Sequence, residues 1–292
     1  MGFIFLLKFF MKGIMGMEMF DQEPEENFEE EQFARDTLER YAGCPFESFQ
    51  SSLILTNFPR YVDCFANKRG IEIVEGAMFK VAHCKKDDIS IIDFKIGTTA
   101  ASLVVDLCAF LPVKTSIFLG MCGGLRRRYT IGEYLVPVAS IRGEGTSDFY
   151  FPPEVPALGN FLMQKAVTDV LEEQNANYHI GLTYTTNKRF WEYDEPFKEK
   201  VKATRAQAYE LECATLFAAS YKHKFTMGAL LLISDLPLKQ AKTKKTSDFV
   251  YENFMPDHVE KGVTILKHAR QLQKRNVKGS YHRRGDLGNG ED

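Results

Sequence analysis

A continuous apolar run over residues 227–233 restricts the possible folds of this chain more than any other feature. An uninterrupted run of this kind is typical of a strand buried on both faces, as in a parallel sheet covered by helices. The run leads into Ser234 and Asp235. In open α/β sheets, ligands bind beyond the carboxyl ends of the strands. The pattern therefore predicts a buried strand that ends in an acid beside a binding site.

Segments with strand and helix periodicity alternate along the rest of the chain. Strand-like segments occupy residues 51–57, 77–84, 89–96, 116–119, 134–141 and 180–185. Helical periodicity follows Gly97, returns over residues 157–171, resumes after Glu212, and closes the pattern over residues 257–273. The alternation predicts a single α/β domain with a central mixed, mostly parallel sheet flanked by helices.

The two ends of the chain differ in composition from this domain. Residues 1–10 are apolar apart from Lys8 and too short to span a bilayer; we expect Met11 or Met17 to be the true start, with a weak signal peptide as the alternative. The acidic run 21–32 predicts a solvated segment or a surface helix. The predicted organisation is an extension over residues 1–50, partly disordered or helical, the α/β domain over 51–273, and a disordered tail over 274–292.

Charge and cysteine usage exclude several classes of partner. A net charge of -2 and a pI near 6.3 give no electrostatic basis for binding nucleic acid, and no segment suggests a membrane partner. The six cysteines form no C-x-x-C pair, which argues against a zinc site and a disulfide framework. We expect a reducing cytoplasm in which the thiols act as small hydrophobic side chains.

Three acids are candidates for chemistry. Glu210 and Glu212 stand directly before an apolar run with helical spacing, and Asp235 ends the strand described above. Two carboxylates, one holding a proton and one ionised, suit cleavage of a bond between a sugar and a heterocycle. The structural alternatives are favourable charges in the first turn of a helix for the two glutamates and a turn residue for Asp235.

Two glycine-containing segments and one aromatic segment are candidates for binding. Gly97, Thr98 and Thr99 follow a strand and precede a helix, so their N–H groups can hold an anion or a ribose hydroxyl. Residues 120–124 (GMCGG) allow close approach of a ligand to the backbone. Each segment is equally compatible with an ordinary strand-to-helix turn. Residues 185–191 mix cations and aromatic rings, which fits either base stacking or core packing.

Several motifs together resemble the purine/uridine phosphorylase family, and within it the members that hydrolyse AMP. They are residues 55–63 (LTNFPRYVD), 120–126 (GMCGGLR), 151–156 (FPPEVP), 185–192 (TTNKRFWE), 210–215 (ELECAT) and 234–238 (SDLPL). Each motif is weak alone, but their order and spacing over residues 51–273 are specific. The resemblance implies a nucleoside phosphorylase-like fold.

The resemblance also implies separate roles for the site residues. Glu212 matches the residue that hydrogen-bonds the ribose hydroxyls, Leu211 the apolar residue under the sugar, and Asp235 the acid that protonates the purine. The remaining implied substrate-binding positions are Arg60, Gly97, Thr98, Thr99, Gly120 and Glu210, with Phe190 or Trp191 as the stacking ring. The cations considered for a substrate 5′-phosphate are Arg60, Arg142, Lys188 and Arg189.

Departures from the family pattern bear on the choice of nucleophile. Family phosphorylases carry an Arg and a Ser that contact inorganic phosphate, whereas this chain has Phe118 and Met121, which offer phosphate no donor. The substitution favours water as the nucleophile. Related hydrolases place a water-activating carboxylate after the first strand, where this chain has Asn57, so the group that activates water is unassigned.

The resemblance therefore predicts hydrolysis of the N-glycosidic bond of AMP to adenine and ribose 5-phosphate. No metal or organic cofactor is required for this reaction. A homo-oligomer is expected, since family members are usually hexamers built from dimers. The alternatives are a purine or uridine nucleoside phosphorylase with a differently built phosphate site, and a nucleotide-binding sensor without turnover.

Overall fold

The computed structural model describes residues 24–239 and 243–275, and the strands in these residues form one mixed sheet. The strands are β1 (Ser52–Thr56), β2 (Ile73–Glu75), β3 (Lys80–Cys84), β4 (Ile89–Asp93), β5 (Thr115–Gly124), β6 (Tyr134–Gly143), β7 (Ala157–Leu158), β8 (Tyr178–Thr186), β9 (Ala208–Glu210) and β10 (Met227–Asp235). The predicted start sites and most of the predicted disordered tail, residues 276–292, lie outside the described residues.

Helices lie between and around these strands. They are α1 (Pro24–Ala42), α2 (Pro59–Arg69), α3 (Thr98–Cys108), α4 (Phe161–Glu173), α5 (Glu195–Ala203), α6 (Cys213–Lys222), α7 (Lys244–Asn253) and α8 (Met255–Lys274). Most of the acidic run 21–32 lies in α1, as the helical alternative predicts. None of the helices within residues 24–239 and 243–275 has the length and apolarity needed to cross a membrane.

Five of the strands close into a ring. β5 pairs with β10, β10 with β6, β6 with β8, β8 with β9, and β9 returns to β5. β1, β4, β3 and β2 extend the sheet outward from β5. The long pairings, β5–β10 and β6–β8, are parallel, so the predicted mixed, mostly parallel sheet is confirmed. The closure of the ring was not part of the prediction.

Helices cover the sheet on both sides. On one side α1, α3 and α6 contribute buried side chains such as Leu38, Val104 and Leu216. On the other side α2, α4 and α8 contribute a second cluster that includes Phe65 and Val167. The six cysteines are free thiols, and Cys84, Cys108, Cys122 and Cys213 are buried. Two apolar layers therefore hold the sheet between them.

The glycine-rich segment 120–124 is part of β5, so its prediction as a turn is wrong, while the predicted binding role of Gly120 stays a prediction. A Cβ atom at Gly120 would overlap the ring of Phe118, and a Cβ atom at Gly123 would overlap the ring of Tyr209. The glycines are therefore required because aromatic rings lie directly against the strand. The requirement at Gly123 is tertiary, because Tyr209 is distant in sequence.

Several helix boundaries also differ from prediction. The predicted helix 157–171 begins at Phe161, because Asn160 caps it by accepting the N–H groups of Leu162 and Met163 at 3.0 and 3.4 Å. Helices α2 and α7 were not predicted. α2 has recognisable signals: Pro59 at its first turn and Gly70, at φ 59°, just after its end.

Candidate active site

The carboxyl ends of β1, β5 and β10 lie at one edge of the sheet, and β9 pairs antiparallel with the end of β5. Gly123 of β5 pairs with Tyr209 of β9 on one side and with Asp235 of β10 on the other. Glu212, two residues beyond the end of β9, contacts Gly97 at the start of α3. Ring closure thus places Asp235 beside the end of β5, and Glu212 follows the strand that pairs with the other side of that end, at the edge where α/β sheets bind ligands.

Glu212 is a buried acid at this edge, with 1% of its surface exposed. One carboxyl oxygen, Oε1, accepts the N–H of Gly97 at 2.9 Å, and the side chain of Asn57 supplies a further hydrogen bond. Burial, and then the charge of Glu210, raise the pKa of Glu212 to about 8 despite these hydrogen bonds. In the free protein the predicted ionised form of Glu212 therefore dominates only above about pH 8.

Glu210 lies at the end of β9, outside the helix in which it was expected, and its carboxylate is bonded to the protein. Oε2 accepts the N–H groups of Glu212 and Cys213 at 2.7 and 2.6 Å. Oε1 accepts the hydroxyl groups of Ser140 and Thr185. Glu210 thus caps the first turn of α6, so the structural alternative describes its contacts better than the substrate-binding prediction does.

Asp235 is 5% exposed and ends β10, as predicted. Its Oδ1 accepts the hydroxyl of Ser234 at 2.7 Å. The pairing of β10 with β5 shifts between Ile233 and Asp235, and an irregularity of this kind turns a side chain away from the regular strand direction. The carboxyl group of Asp235 therefore lies at the carboxyl end of β10.

A cleft of about 590 Å³ begins next to Asp235. Its lining residues are Gly124, Leu125, Arg126, Arg127, Lys202, Leu236, Leu238 and Lys239. A second cleft, of about 550 Å³, lies at the amino ends of β5 and β10 between Val113 and Phe225. The first cleft is the better candidate for a substrate because it lies at the carboxyl edge, although neither Asp235 nor Glu212 is among its lining residues.

The loop before α3 is connected to two other loops at this edge. The buried hydroxyl of Thr98 bonds Thr146 at 2.6 Å and Asn187 at 2.8 Å. The side-chain nitrogen of Asn187 donates to the carbonyl of Glu144 at 2.7 Å. Thr99, in contrast, is exposed. Sequence reasoning singled out neither Thr146 nor Asn187, since no local pattern marks a contact between loops this far apart.

The two aromatic candidates, Trp191 and Phe190, differ in solvent exposure. Trp191 is 1% exposed and packs edge-on against Tyr209, with ring centroids 4.7 Å apart. Its neighbour Phe190 is 75% exposed. Core packing therefore describes Trp191, and Phe190 alone of the pair presents its ring to a ligand.

The four candidate cations differ in the number of hydrogen bonds and ion pairs that they form with other protein groups. All five guanidinium N–H groups of Arg142 are bonded within the loop that follows β6, to Ser147, Asp148, Phe151, Pro152 and Val155. Lys188 pairs with Asp194. The predicted phosphate contact of Arg142 is therefore incompatible with its bonding in this structure.

Arg60 and Arg189 remain exposed. Arg60 lies in the first turn of α2, over the ring of Tyr251 and 3.9 Å from Asp248. The N–H groups at a helix start favour anions, which adds to the charge of Arg60. Arg189 lies 5.8 Å from the ring centroid of Phe190.

The two positions that bear on the nucleophile are apolar and buried. Phe118 is fully buried and contacts the ring of Phe94 at a centroid distance of 5.8 Å. Met121 belongs to the core cluster on the other side of the sheet. Neither residue offers a hydrogen-bond donor to a phosphate oxygen. In the part of the chain that the structure describes, no group of His, Cys, Asp and Glu side chains could hold a metal ion.

Known proteins share this architecture. The sequence profile of the family described as "Phosphorylase superfamily" matches residues 53–269. The chain is 25% identical to AMP nucleosidase of Escherichia coli K12 over 80% of its own length and 58% of that relative, so it spans little more than half of the relative. It is 23% identical to guanosine phosphorylase of Halorubrum lacusprofundi over 68% of this chain and 82% of that protein.

A solved structure is also similar to this chain. The crystal structure of AMP nucleosidase from Bacteroides thetaiotaomicron VPI-5482 superimposes with a TM-score of 0.75 at 34% identity, covering 84% of this chain and 99% of that one. The matched residues 53–269 contain every strand of the sheet from β2 to β10 and nearly all of β1. The chain belongs to the phosphorylase superfamily.

Proposed function

We propose that this protein hydrolyses the N-glycosidic bond of AMP to give adenine and ribose 5-phosphate. The observation that carries the proposal is a pair of buried acids, Asp235 at the end of β10 and Glu212 just after β9, which follow the two strands that pair with Gly123 of β5. Similarity to the AMP nucleosidases of E. coli and B. thetaiotaomicron supports AMP as the substrate.

Asp235 acts as the general acid in this proposal. It donates a proton to the imidazole side of adenine, so that the base leaves as a neutral molecule. The hydroxyl of Ser234, which donates to Oδ1 at 2.7 Å, orients the carboxyl group. The base lies beside Asp235 in this proposal, with the exposed ring of Phe190 as the stacking partner.

Glu212 stabilises the ribose as positive charge develops on it. Its carboxylate accepts the ribose hydroxyls, and the oxocarbenium-like sugar is favoured by the negative charge. The N–H of Gly97 holds the carboxyl group in place, while Leu211, which is half-buried, packs under the sugar. Hydroxyl donors and a cationic sugar both favour the anion, so substrate binding lowers the pKa of Glu212 below its value in the free protein.

The 5′-phosphate of AMP needs cationic partners. Arg60 is the best placed of the four candidates, since it is exposed and lies at the start of α2, directly after β1. Arg189 is the second choice. Arg142 and Lys188 are committed to protein partners.

Water is the nucleophile in this proposal because Phe118 and Met121 offer no donors to a phosphate nucleophile. The apolar side chains of Phe118 and Met121 lie where family phosphorylases contact inorganic phosphate, and Gly120 between them carries no side chain. The competing function, phosphorolysis of a nucleoside, would need donors from other residues.

The test is to incubate the protein with AMP and with adenosine, with and without inorganic phosphate, and to identify the sugar product. Adenine and ribose 5-phosphate from AMP in the absence of phosphate are the expected products. A sugar 1-phosphate formed only when phosphate is present would establish the phosphorylase alternative. Tight binding of AMP without release of adenine would establish the sensor.

We further propose that the catalytic unit, residues 51–273, assembles as a homo-oligomer, as a hexamer, in the reducing cytoplasm. Exposed apolar side chains on and near β7 and β8, among them Leu158, Phe161, Ile180 and Leu182, support self-association. Six free thiols support the reducing compartment. Light scattering after size exclusion tests the assembly, and a monomeric mass would exclude it.

A further inference from the structure

Trp191 carries a buried hydrogen-bond donor that the reaction above does not use. The residue is 1% exposed, and its indole nitrogen, Nε1, is shielded from solvent and has no hydrogen-bond partner within residues 24–239 and 243–275. Buried polar atoms in native proteins nearly always have a partner, and an indole N–H can only donate. The unpaired donor therefore indicates an acceptor atom that another molecule supplies.

Trp191 lines a small cavity of about 70 Å³, which we call the Trp191 cavity. It lies between α5 and the segments that follow β5 and β10. Its apolar walls are Leu125, Val201, Ala206 and Leu238, and its cations are Arg126, Lys198 and Lys202. A single water needs only about 10–15 Å³ of such space, so the cavity has room for a group of several atoms.

The Trp191 cavity adjoins the cleft of about 590 Å³ that begins next to Asp235. The residues that line both spaces are Leu125, Arg126, Lys202 and Leu238. The cations of the joined space are Arg126, Arg127, Lys198, Lys202 and Lys239. Among the residues that the structure describes, no Asp or Glu lines either space. An elongated anion with several charges fits a space of this shape and sign.

Two of these cations are oriented by the protein without being neutralised. The guanidinium group of Arg126 donates to the carbonyl oxygens of Leu125 and Arg205. The amine of Lys239 donates to the carbonyl oxygen of Tyr129 at 3.3 Å. A carbonyl group carries no net charge, so the positive charge of both side chains remains available to an anion.

The other cations are weakly paired or exposed. Lys198 and Lys202 form ion pairs at 2.7 and 2.6 Å with Glu195 and Glu199, whose side chains are 74% and 68% exposed. Ion pairs this exposed contribute little, so a multivalent anion competes with them. Arg127 is exposed.

We propose that the joined space binds an inorganic polyphosphate, pyrophosphate or longer, with an oxygen of one phosphate accepting the N–H of Trp191. Charge-assisted hydrogen bonds from the cations hold the remaining oxygens. The cleft begins next to Asp235, which contacts the base in the proposed reaction, so this phosphate is not the 5′-phosphate carried by the sugar. The proposal holds whether or not the protein hydrolyses AMP.

Fluorescence reports this site directly, because Trp191 is the only tryptophan of the chain. Tripolyphosphate titrated into the wild-type protein at constant ionic strength should change the emission with a Kd of about 10–100 μM. Inorganic phosphate reaches fewer of the cations and should bind about tenfold more weakly. Emission that stays unchanged up to about 10 mM tripolyphosphate overturns the proposal.

Calorimetry with variants tests the donor and the charge separately. Trp191→Phe keeps an aromatic ring in the core and removes the N–H, and Lys202→Gln removes a cation common to both spaces. Each should weaken tripolyphosphate binding about tenfold. Wild-type affinity in either variant overturns the proposal. Lys202 lies on the surface of α5, so its substitution keeps the test valid even where Trp191→Phe fails to fold.

Arg128→Gln is the matched control, since Arg128 is an exposed neighbour of Arg127 that lines neither space. Its affinity for tripolyphosphate should stay within about twofold of wild type. A loss equal to that of Lys202→Gln would show non-specific attraction between the anion and a basic surface, and would overturn the proposal.

Bound AMP distinguishes the two sources of phosphate. Asp235→Asn is expected to turn AMP over slowly, so tripolyphosphate can be titrated into this variant with and without saturating AMP. A Kd that stays within about threefold supports a separate site. A Kd that rises in proportion to the AMP concentration overturns the proposal and assigns the cleft to the phosphate of the nucleotide. The product assay with wild-type protein decides the hydrolase function independently of both results.

Discussion

The amino and carboxyl edges of the sheet differ in how completely their buried polar groups are hydrogen-bonded. At the amino edge, Arg69 bonds Asp87 at 2.8 Å and Glu260 at 2.9 Å, and Arg270 bonds the hydroxyl of Ser52 at 2.9 Å. At the carboxyl edge, Glu212 has a raised pKa and the oxygen of Asn57 has no partner in the described chain. The amino edge therefore stabilises the fold, whereas the carboxyl edge keeps strained electrostatics that a substrate relieves.

The largest effect is expected for Asp235→Asn at the carboxyl edge. The amide cannot protonate adenine, so kcat should fall by about 100-fold or more while KM changes little. Adenine release from AMP measures the loss. Asp87→Asn at the amino edge is the control and should retain wild-type kcat; near-normal turnover by Asp235→Asn would remove it as the general acid.

The pH dependence of kcat/KM should report Glu212 in the free protein. Burial raises its pKa to about 8, and the reaction needs the ionised form, so kcat/KM should fall about tenfold for each pH unit below about 8. Initial rates at low AMP concentration between pH 6 and 9 measure this limb. A profile flat across that range would contradict the role of Glu212.

Glu212→Gln should reduce turnover and yet stabilise the protein at alkaline pH. The folded-state pKa of about 8 lies above the ordinary value of 4.5, so wild-type stability is full below about pH 4.5 and is lost as the pH rises from there to about 8. The variant has no such carboxyl group and should gain a few kcal/mol over wild type at pH 9 and little at pH 4. Urea unfolding at the two pH values measures the difference; equal gains would contradict it.

Arg69→Met should produce the reverse pattern at the amino edge. The substitution keeps much of the apolar stem and removes the guanidinium from two carboxylates, which leaves Asp87 and Glu260 without this partner. We expect a loss of about 2–3 kcal/mol in the free energy of unfolding with unchanged kcat. Lost activity in a folded variant would show that the two edges are not independent.

Arg60→Ala should have the smallest effect. Removing a cation from the proposed phosphate contact should raise KM for AMP about tenfold and leave KM for adenosine unchanged. Steady-state kinetics with both substrates measure the difference. Equal changes for AMP and adenosine would move the phosphate site elsewhere, with Arg189 as the next candidate.

Particular segments show how far sequence reasoning reaches. The apolar run 227–233 predicted β10 and its terminal Asp235, because burial on both faces of a strand leaves a local pattern. The helix start at Asn160 was missed, although its capping side chain is a local signal. The strand conformation of residues 120–124 carried no such signal, since the rings that require those glycines include Tyr209, which is distant in sequence.

Sequence alone was sufficient for the α/β architecture, the acids at the strand ends and the apolar residues in place of phosphate ligands, since periodicity and residue chemistry are local properties. Ring closure of the sheet placed Asp235 and Tyr209 on either side of Gly123, and it depends on pairing between strands far apart in the chain. In the folded chain the carboxylate of Glu210 accepts hydrogen bonds from the protein, whereas Glu212 is buried and its pKa is raised. Only the folded chain decides burial and partners, because both depend on which distant groups come into contact.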